Sequence, residues 1–360
     1  MSRLRLVAIG DVTLRSSDDK GPFQNVQQIL KKKDILFGNL EVVLSKSGKR
    51  AEKAEVLSSP PERIRFLEQA DFDVVNVANN HLLDLGVEGA NNTLQLLDER
   101  GIAYVGASNS KKIPESFIIE KKGIRLGFLS YTVGRFAVPA GISVNKIKRS
   151  RIVQNLRSVK KLCDFVVVSL HWGTENVFYP APSQVVLAHS LIDQGATIIL
   201  GHHPHVVQGI ERYRDGLIAY SLGNFDMYPD AQDARSSNSV ILCTDIDETG
   251  IVDYTLVPLK IPANEIPTIV GGSEKADALQ FMDRISRPLT NGSMTERWWF
   301  EQIGEVYLSG SLESFALRIK KYGIRHFVEF LVWLITPFSL RCYAGVLRNR
   351  RTQKALRRSR

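Results

Sequence analysis

Along the first two thirds of the chain, short continuous apolar runs alternate with amphipathic stretches. Runs rich in Val, Ile and Leu predict strands at residues 4–9, 35–39, 74–78, 126–131, 165–170, 197–200, 217–221 and 239–244. Several are apolar at every position, the pattern of strands covered on both faces. Between them, apolar residues three to four apart predict helices at 25–32, 60–69, 86–100, 146–163 and 183–194. The Pro60-Pro61 pair suits a helix start, because the first turn leaves its N–H groups unbonded in any case. Strand–helix alternation of this kind specifies an α/β fold. Residues 261–317 show no clear period, and contain Gly271-Gly272, Asn291-Gly292 and Trp298-Trp299. They are read as a linker with accessory packing, giving three expected units: 1–262, 263–317 and 318–360.

The polar residues of interest share one location, just beyond the carboxyl ends of predicted strands, where α/β sheets gather their ligands. Asp11 follows the first run and Glu41 the second. Taken singly, each suits a turn, a helix cap or a solvated position equally well. Asn79-Asn80-His81 follows the third run. Two amides and an imidazole at a buried strand end are costly unless something satisfies them. Asn80 offers a carbonyl oxygen to a metal, and His81 a proton near neutral pH. The competing reading is a turn, with Asp84 capping the next helix. His171-Trp172-Gly173 follows the fifth run, where a lone histidine suits a hydrogen-bonded core position. Gly201-His202-His203-Pro204-His205 carries three of the seven histidines, and its His-x-His spacing sets two imidazoles on one side of an extended segment. Together these segments supply two carboxylates, an amide oxygen and several imidazoles. Such a mixed set suits two divalent ions of the Mn, Fe or Zn kind, bridged by a carboxylate and roughly 3.5–4 Å apart.

Composition narrows the picture. At 360 residues, 44% hydrophobic and 24% charged, the chain can bury a sizeable core unaided, so a metal would be functional rather than structural. Cys163, Cys243 and Cys342 are too few and too scattered for a disulfide framework or a thiolate zinc cage, and fit a reducing compartment. The apolar run within 3–9 is too short for a secretory leader and is read as a strand. No stretch of 18 clean apolar residues predicts a membrane span. A cytoplasmic protein, peripheral on the inner membrane face, is the expected location.

The segments Gly10-Asp11, Asn39-Leu40-Glu41, Ala78-Asn79-Asn80-His81 with Asp84 and Gly86, His171-Trp172-Gly173 with Glu175, Gly201-His202-His203-Pro204-His205 with Gln208, and residues 220–225 occur in this order. In that arrangement the chain, from about Leu4 to about Pro262, resembles the CapA proteins of capsule and poly-gamma-glutamate synthesis, within the calcineurin-like metallophosphoesterase superfamily. The resemblance implies a four-layer α/β/β/α sandwich. It implies one metal on Asp11 and His205, another on Asn80, His171 and His203, and Glu41 between them. His81 would protonate the leaving group. Asn79, Asp84, Trp172, Glu175, His202 and Asn224 would support the ligands or the substrate. Two departures stand out. The superfamily's histidine two residues after the first Asp is Thr13 here, and its bridging Asp is Glu41; the CapA proteins share this kind of departure. Ordinary phosphoesterase activity is thereby in doubt, and an anionic exopolymer or its precursor is the implied substrate. The expected function is a metal-dependent hydrolase, or hydrolase-like component, of exopolymer synthesis. The rival is a non-catalytic polymer-binding assembly factor of a membrane capsule synthase complex.

The net charge of +9 is unevenly spread: residues 318–360 hold twelve Lys/Arg and one acid, leaving the remainder at −2. Within this segment residues 330–340 are an apolar core broken by Pro337, too short to span a bilayer. Beside such a basic cluster it fits an anionic membrane surface. A core helix with a basic tail is the equal alternative. Nucleic-acid binding ranks below both, because no recognised motif accompanies the charge.

Overall fold

The computed structural model describes residues 3–16, 18–53, 55–109, 116–134, 138–227 and 234–358. Two large sheets organise it. The first contains β1 (Leu4–Val12), β2 (Ile35–Leu40), β3 (Val74–Asn76) and β4 (Ala103–Val105). The second contains β5 (Phe117–Lys121), β6 (Ile124–Thr132), β7 (Phe165–His171), β8 (Ile198–His202), β9 (Ile210–Tyr213) and β10 (Gly216–Ala219). The chain then returns to the first sheet through β11 (Asn238–Asp247), β12 (Gly250–Lys260) and β13 (Thr268–Ile269). The strand orders are β13-β12-β11-β1-β2-β3-β4 and β9-β10-β8-β7-β6-β5. In each sheet the central strands carrying the site residues, β1-β2-β3 and β6-β7-β8, run parallel.

Why β1 reads as apolar throughout follows from its two faces. Leu4, Leu6 and Ala8 pack between the sheets with Phe37, Leu126, Phe128, Val167 and Leu200. Val7 and Ile9 point the other way, into a core that includes Leu67, Leu94 and Leu97. Those residues belong to α2 (Ile64–Gln69) and α3 (Gly86–Glu99), which with the short α1 (Gln27–Leu30) cover the first sheet. The outer face of the second sheet packs on α4 (Arg149–Val159) and α5 (Pro182–Asp193) through Ile152, Leu156, Ala188 and Leu191. The result is the expected four-layer α/β/β/α sandwich. Phe37 and Phe128 stack across its centre at 5.5 Å.

Element ends differ from the sequence reading in instructive ways. β1 continues to Val12 and so carries Asp11 within the strand. The helix expected over 25–32 contracts to a 3-10 turn, Gln24–Val26, and the single turn of α1. The largest difference lies in 263–317, which is mostly helical: α6 (Gly272–Thr290) and α7 (Glu296–Tyr322). The glycine pairs that suggested irregular chain sit at helix borders. Gly271 caps α6, Gly292 follows it at φ +70°, and Thr295 caps α7 by accepting from the Trp298 amide at 3.1 Å. Helix α7 also buries Trp299, Phe300, Ile303, Leu308 and Phe315 while exposing Val306, Leu312 and Leu317, which blurs its period. Two further helices follow, α8 (Ile324–Leu334) and α9 (Pro337–Arg358). Cys342 and Val346 of α9 pack with Trp299, Phe300 and Ile303 of α7. Among the described residues no single helix is long and apolar enough to cross a membrane.

Candidate metal centre

The carboxyl ends of β1, β2, β7 and β8 meet at one place, helped by two close backbone approaches. A Cβ on Gly10 would lie 1.9 Å from the Gly223 carbonyl oxygen, and one on Gly201 1.8 Å from that of Tyr220. Only glycine lets the strands before Asp11 and His202 come so near the 220–224 segment. Beyond β8 the chain turns through left-handed conformations at His203 (φ +94°) and His205 (φ +58°). Non-glycine residues hold such angles at a cost of roughly 1–3 kcal/mol each where the surroundings over-determine them. The turn brings both imidazoles back over the strand ends.

Two ligand triads result, and they share one carboxylate. Glu41, His171 and His203 each offer an atom within 4.8 Å of the others, as do Asp11, Glu41 and His205. Glu41 Oε1 lies 3.4 Å from His171 Nε2, 3.8 Å from His81 Nε2 and 3.9 Å from His205 Nε2. Asn80 Oδ1 is 2.7 Å from His171 Nε2, so the amide oxygen lies beside the triad of Glu41, His171 and His203. A further triad of Glu175, His203 and His205 lies at the rim, with Glu175 exposed. The residues therefore fit divalent ions. Glu41 Oε1 and His203 Nδ1 are buried without a hydrogen-bond partner among the described residues, and imidazole with carboxylate is the donor mixture that borderline metals take.

Electrostatics sharpen this. Burial pushes the Glu41 carboxyl well above its ordinary value, and the Asp11 charge adds to that. Burial acts the same way on Asp11, but His202 and His205 outweigh it and hold that carboxyl well below the usual range. Burial lowers His171 well below its ordinary value, and takes His203 down to about 4, so both are neutral and ready as ligands. Burial also disfavours charge on His205, yet Glu41 and Asp11 raise it to about 10.

His81 sits beside the shared carboxylate. Its Nδ1 is 2.6 Å from Asp84 Oδ2, which leaves Nε2 facing Glu41. Burial lowers its pKa against the pull of Asp84. Lys53, which the sequence reading did not single out, donates from Nζ to Asp84 Oδ1 and to the Asn80 carbonyl, both at 2.7 Å. The Lys53 carbonyl in turn accepts from the Tyr322 hydroxyl at 2.7 Å, tying the end of α7 to this corner.

Asn39 was also passed over as a site residue, although it occupies the centre. Its Nδ2 donates to Asp11 Oδ1 at 2.8 Å and to Glu41 Oε2 at 3.1 Å. Its Oδ1 accepts from Asn76 at 2.8 Å and Asn79 at 3.3 Å. Asn79 also donates to the Leu40 carbonyl and accepts from the His81 amide, so it shapes the loop rather than joining the carboxylates and imidazoles. Asn224 Oδ1 lies 2.9 Å from His205 Nδ1 and orients that ring. His202 Nδ1 is 3.2 Å from Asp11 Oδ1, with the ring buried against Phe37. Trp172 is not brought to the ligand atoms: its indole donates to the Tyr220 carbonyl within the helix-facing core. Thr13, at the position of the missing histidine, is buried and turned to Asp226, which accepts from the Thr13 and Leu14 amides at 2.5 and 2.6 Å. Burial nonetheless pushes that carboxyl up to about 7.

This sandwich, with histidines and carboxylates gathered on its strand ends, has a fold of the metallophosphoesterase type. A solved structure of a putative 5'-nucleotidase from Staphylococcus aureus, in complex with alpha-ketoglutarate, shares the fold at TM-score 0.50 and 11% identity, over 79% of this chain and 58% of that one. The family model described as bacterial capsule synthesis protein PGA_cap matches residues 5–228, and the chain belongs to that family. The capsule biosynthesis protein CapA of Bacillus anthracis is 32% identical over 312 residues, covering 83% of this chain and 74% of its own length. The PGA biosynthesis protein CapA of Bacillus subtilis is 33% identical over 269 residues, covering 70% of each.

Proposed function

We propose that this chain is a metal-dependent hydrolase of capsule polymer synthesis, acting on an anionic exopolymer such as poly-gamma-glutamate or on its precursor. The observation that carries the reading is the pair of ligand triads sharing Glu41, with His81 Nε2 3.8 Å from the shared oxygen. In this reading Asp11 and His205 would hold one ion, Asn80, His171 and His203 would hold a second, and Glu41 would serve both. Bound there, the ions would polarise a substrate oxygen and lower the pKa of water. The protein's own part is proton management and orientation. Asp84 keeps the His81 ring turned so that Nε2 faces the reacting centre, and Nε2 moves a proton to the leaving group. Asn39 and Asn224 hold Asp11, Glu41 and His205 in place. Glu175, exposed at the rim, meets the substrate or its counter-ions.

The departure at Thr13 favours a second reading, in which the chain is a polymer-binding assembly factor of a capsule synthase complex. That triad has one imidazole against two carboxylates. Elemental analysis of wild type, Glu41→Ala and His203→Ala tests the site. Two equivalents of Mn, Fe or Zn in wild type, reduced in both variants, support it; a metal-free wild type purified without chelators refutes it. His81→Ala then separates the readings. A hydrolase loses roughly 10²–10⁴-fold in rate, whereas an assembly factor keeps its ability to restore capsule formation.

A further inference from the structure

Helix α8 presents an apolar stripe to solvent. Ile324 (77% exposed), Phe327, Val328, Leu331, Val332 (54%) and Ile335 (72%) all stand out from the body. At the α-helical step these six positions fall within an arc of about 140°, so they form one face rather than scattered surface residues. The opposite face is fully engaged. Phe330 and Trp333 pack on Phe315 of α7 with ring centroids 5.5 and 5.3 Å apart, and Trp333 donates to the Tyr307 hydroxyl at 3.0 Å. The helix is thus held firmly while its outer face remains uncovered by any described residue. Soluble surfaces seldom expose an apolar patch of this kind without an occupant.

Charge indicates the occupant. Lys320 and Arg325 flank the start of α8, and Arg348 and Arg351 lie further on in α9; all four are exposed and without a carboxylate partner among the described residues. The one acid in 318–358, Glu329, is taken by His326 at 3.1 Å and Arg318 at 3.6 Å. A second copy of this chain would bring like charges together around the stripe. An anionic lipid surface instead satisfies both the apolar face and the cations. Geometry agrees: α8 has 11 residues, too few to cross a bilayer alone, and α9 leaves it at a bend of 62°.

We propose that α8 is a docking surface for an anionic bilayer, with its outer stripe in the acyl boundary and the neighbouring cations on headgroup phosphates. The seat lies close to the metal centre. Tyr322, two residues before α8, holds the Lys53 carbonyl, and the Lys53 ammonium contacts Asp84 and the Asn80 carbonyl. These contacts connect the docking helix to the His81 side of the site. The inference stands whether the site is catalytic or a polymer platform.

Flotation of the full chain with vesicles tests it, using phosphatidylcholine alone and phosphatidylcholine mixed with about one third phosphatidylglycerol, whose anionic surface attracts basic segments. Wild type is expected to float with the anionic vesicles and to stay largely unbound on the neutral ones. Val328→Glu/Leu331→Glu is expected to lose at least about tenfold in partitioning, with metal content unchanged as the check on folding. Equal flotation of variant and wild type, or none by either, overturns the proposal. So does concentration-dependent dimerisation in the absence of lipid that the same variant abolishes, because a second copy would then cover the stripe. Salt-sensitive association with DNA or RNA that the variant retains, without vesicle binding, overturns it in favour of a nucleic-acid partner.

Discussion

Replacing Asn39 by leucine removes the polar hub of the site while keeping the side chain's branched shape. Asn39 is fully buried, so no water compensates. Its amide donates to Asp11 at 2.8 Å, and its oxygen accepts from Asn76 at 2.8 Å. A hydrogen bond to a charged group contributes about 1.5–3 kcal/mol, and a buried donor left unsatisfied costs about 1–3 kcal/mol. The expected loss is therefore about 3–5 kcal/mol, set against a total stability of roughly 5–15 kcal/mol. For a domain of this size that corresponds to a fall in Tm of about 10 °C. Urea unfolding of the metal-free proteins measures the loss, and elemental analysis measures the parallel loss of metal as Asp11 and Glu41 come out of register. A change below about 1 kcal/mol, with metal content intact, would refute the argument that one amide organises both carboxylates.

Three further outcomes follow from the same geometry. Because Glu41 and Asp11 raise His205 to about 10 and burial holds Glu41 well above its ordinary value, binding an ion at this corner must displace protons; affinity should rise by at least about tenfold per pH unit through neutral pH. Calorimetry in buffers of differing ionisation enthalpy should find at least one proton released on binding, and finding none would sink the assignment. Gly10→Ala places a Cβ 1.9 Å from the Gly223 carbonyl oxygen, and is expected to destabilise by roughly 1–3 kcal/mol or more; an unchanged denaturation midpoint counts against that contact. Asp84→Ala leaves the Lys53 ammonium and the His81 ring without their shared carboxylate. The Lys53 side chain is 31% exposed, so the loss is expected at about 1–3 kcal/mol, measurable by chemical denaturation, and an unchanged denaturation midpoint would contradict the pairing.

Much of the fold was legible because its physical cause is local. Strands covered on both faces must be apolar at successive positions, so β1, β2, β7 and β8 stand out, and the polar residues just beyond them stand out by contrast. Asp11, Glu41, Asn80, His171, His203 and His205 do come together. Asn39 was hidden because it lies inside a strand and acts through hydrogen bonds that only the assembled sheets create. Lys53 was hidden because its segment has no period, and it matters only through Asp84 and Tyr322. The helices of 272–322 were obscured by glycines that border them and by a long α7 whose apolar residues divide between core and surface. Trp172 lay within a site motif, yet its indole faces the helices; neighbours along a strand end point to opposite faces.

The departure at Thr13 is rooted in how the chain closes around Asp226. That carboxylate gathers the Thr13 and Leu14 amides and the Thr13 hydroxyl into a buried knot. A histidine at 13 would have to keep this contact or leave it to reach the ions. With Thr13 committed to the knot, the two triads become unequal. Asp11, Glu41 and His205 offer two carboxylates and one imidazole; Glu41, His171 and His203 offer the reverse, with Asn80 alongside. Glutamate at the bridge suits that inequality. Its side chain, longer than aspartate's, brings Oε1 to 3.4 Å from His171 and 3.9 Å from His205. The oxygen-rich position would favour the harder ion and the imidazole-rich position the softer one. A centre built this way would hold its two ions with different strengths, and the weaker position would be the one whose histidine the fold has replaced by Thr13.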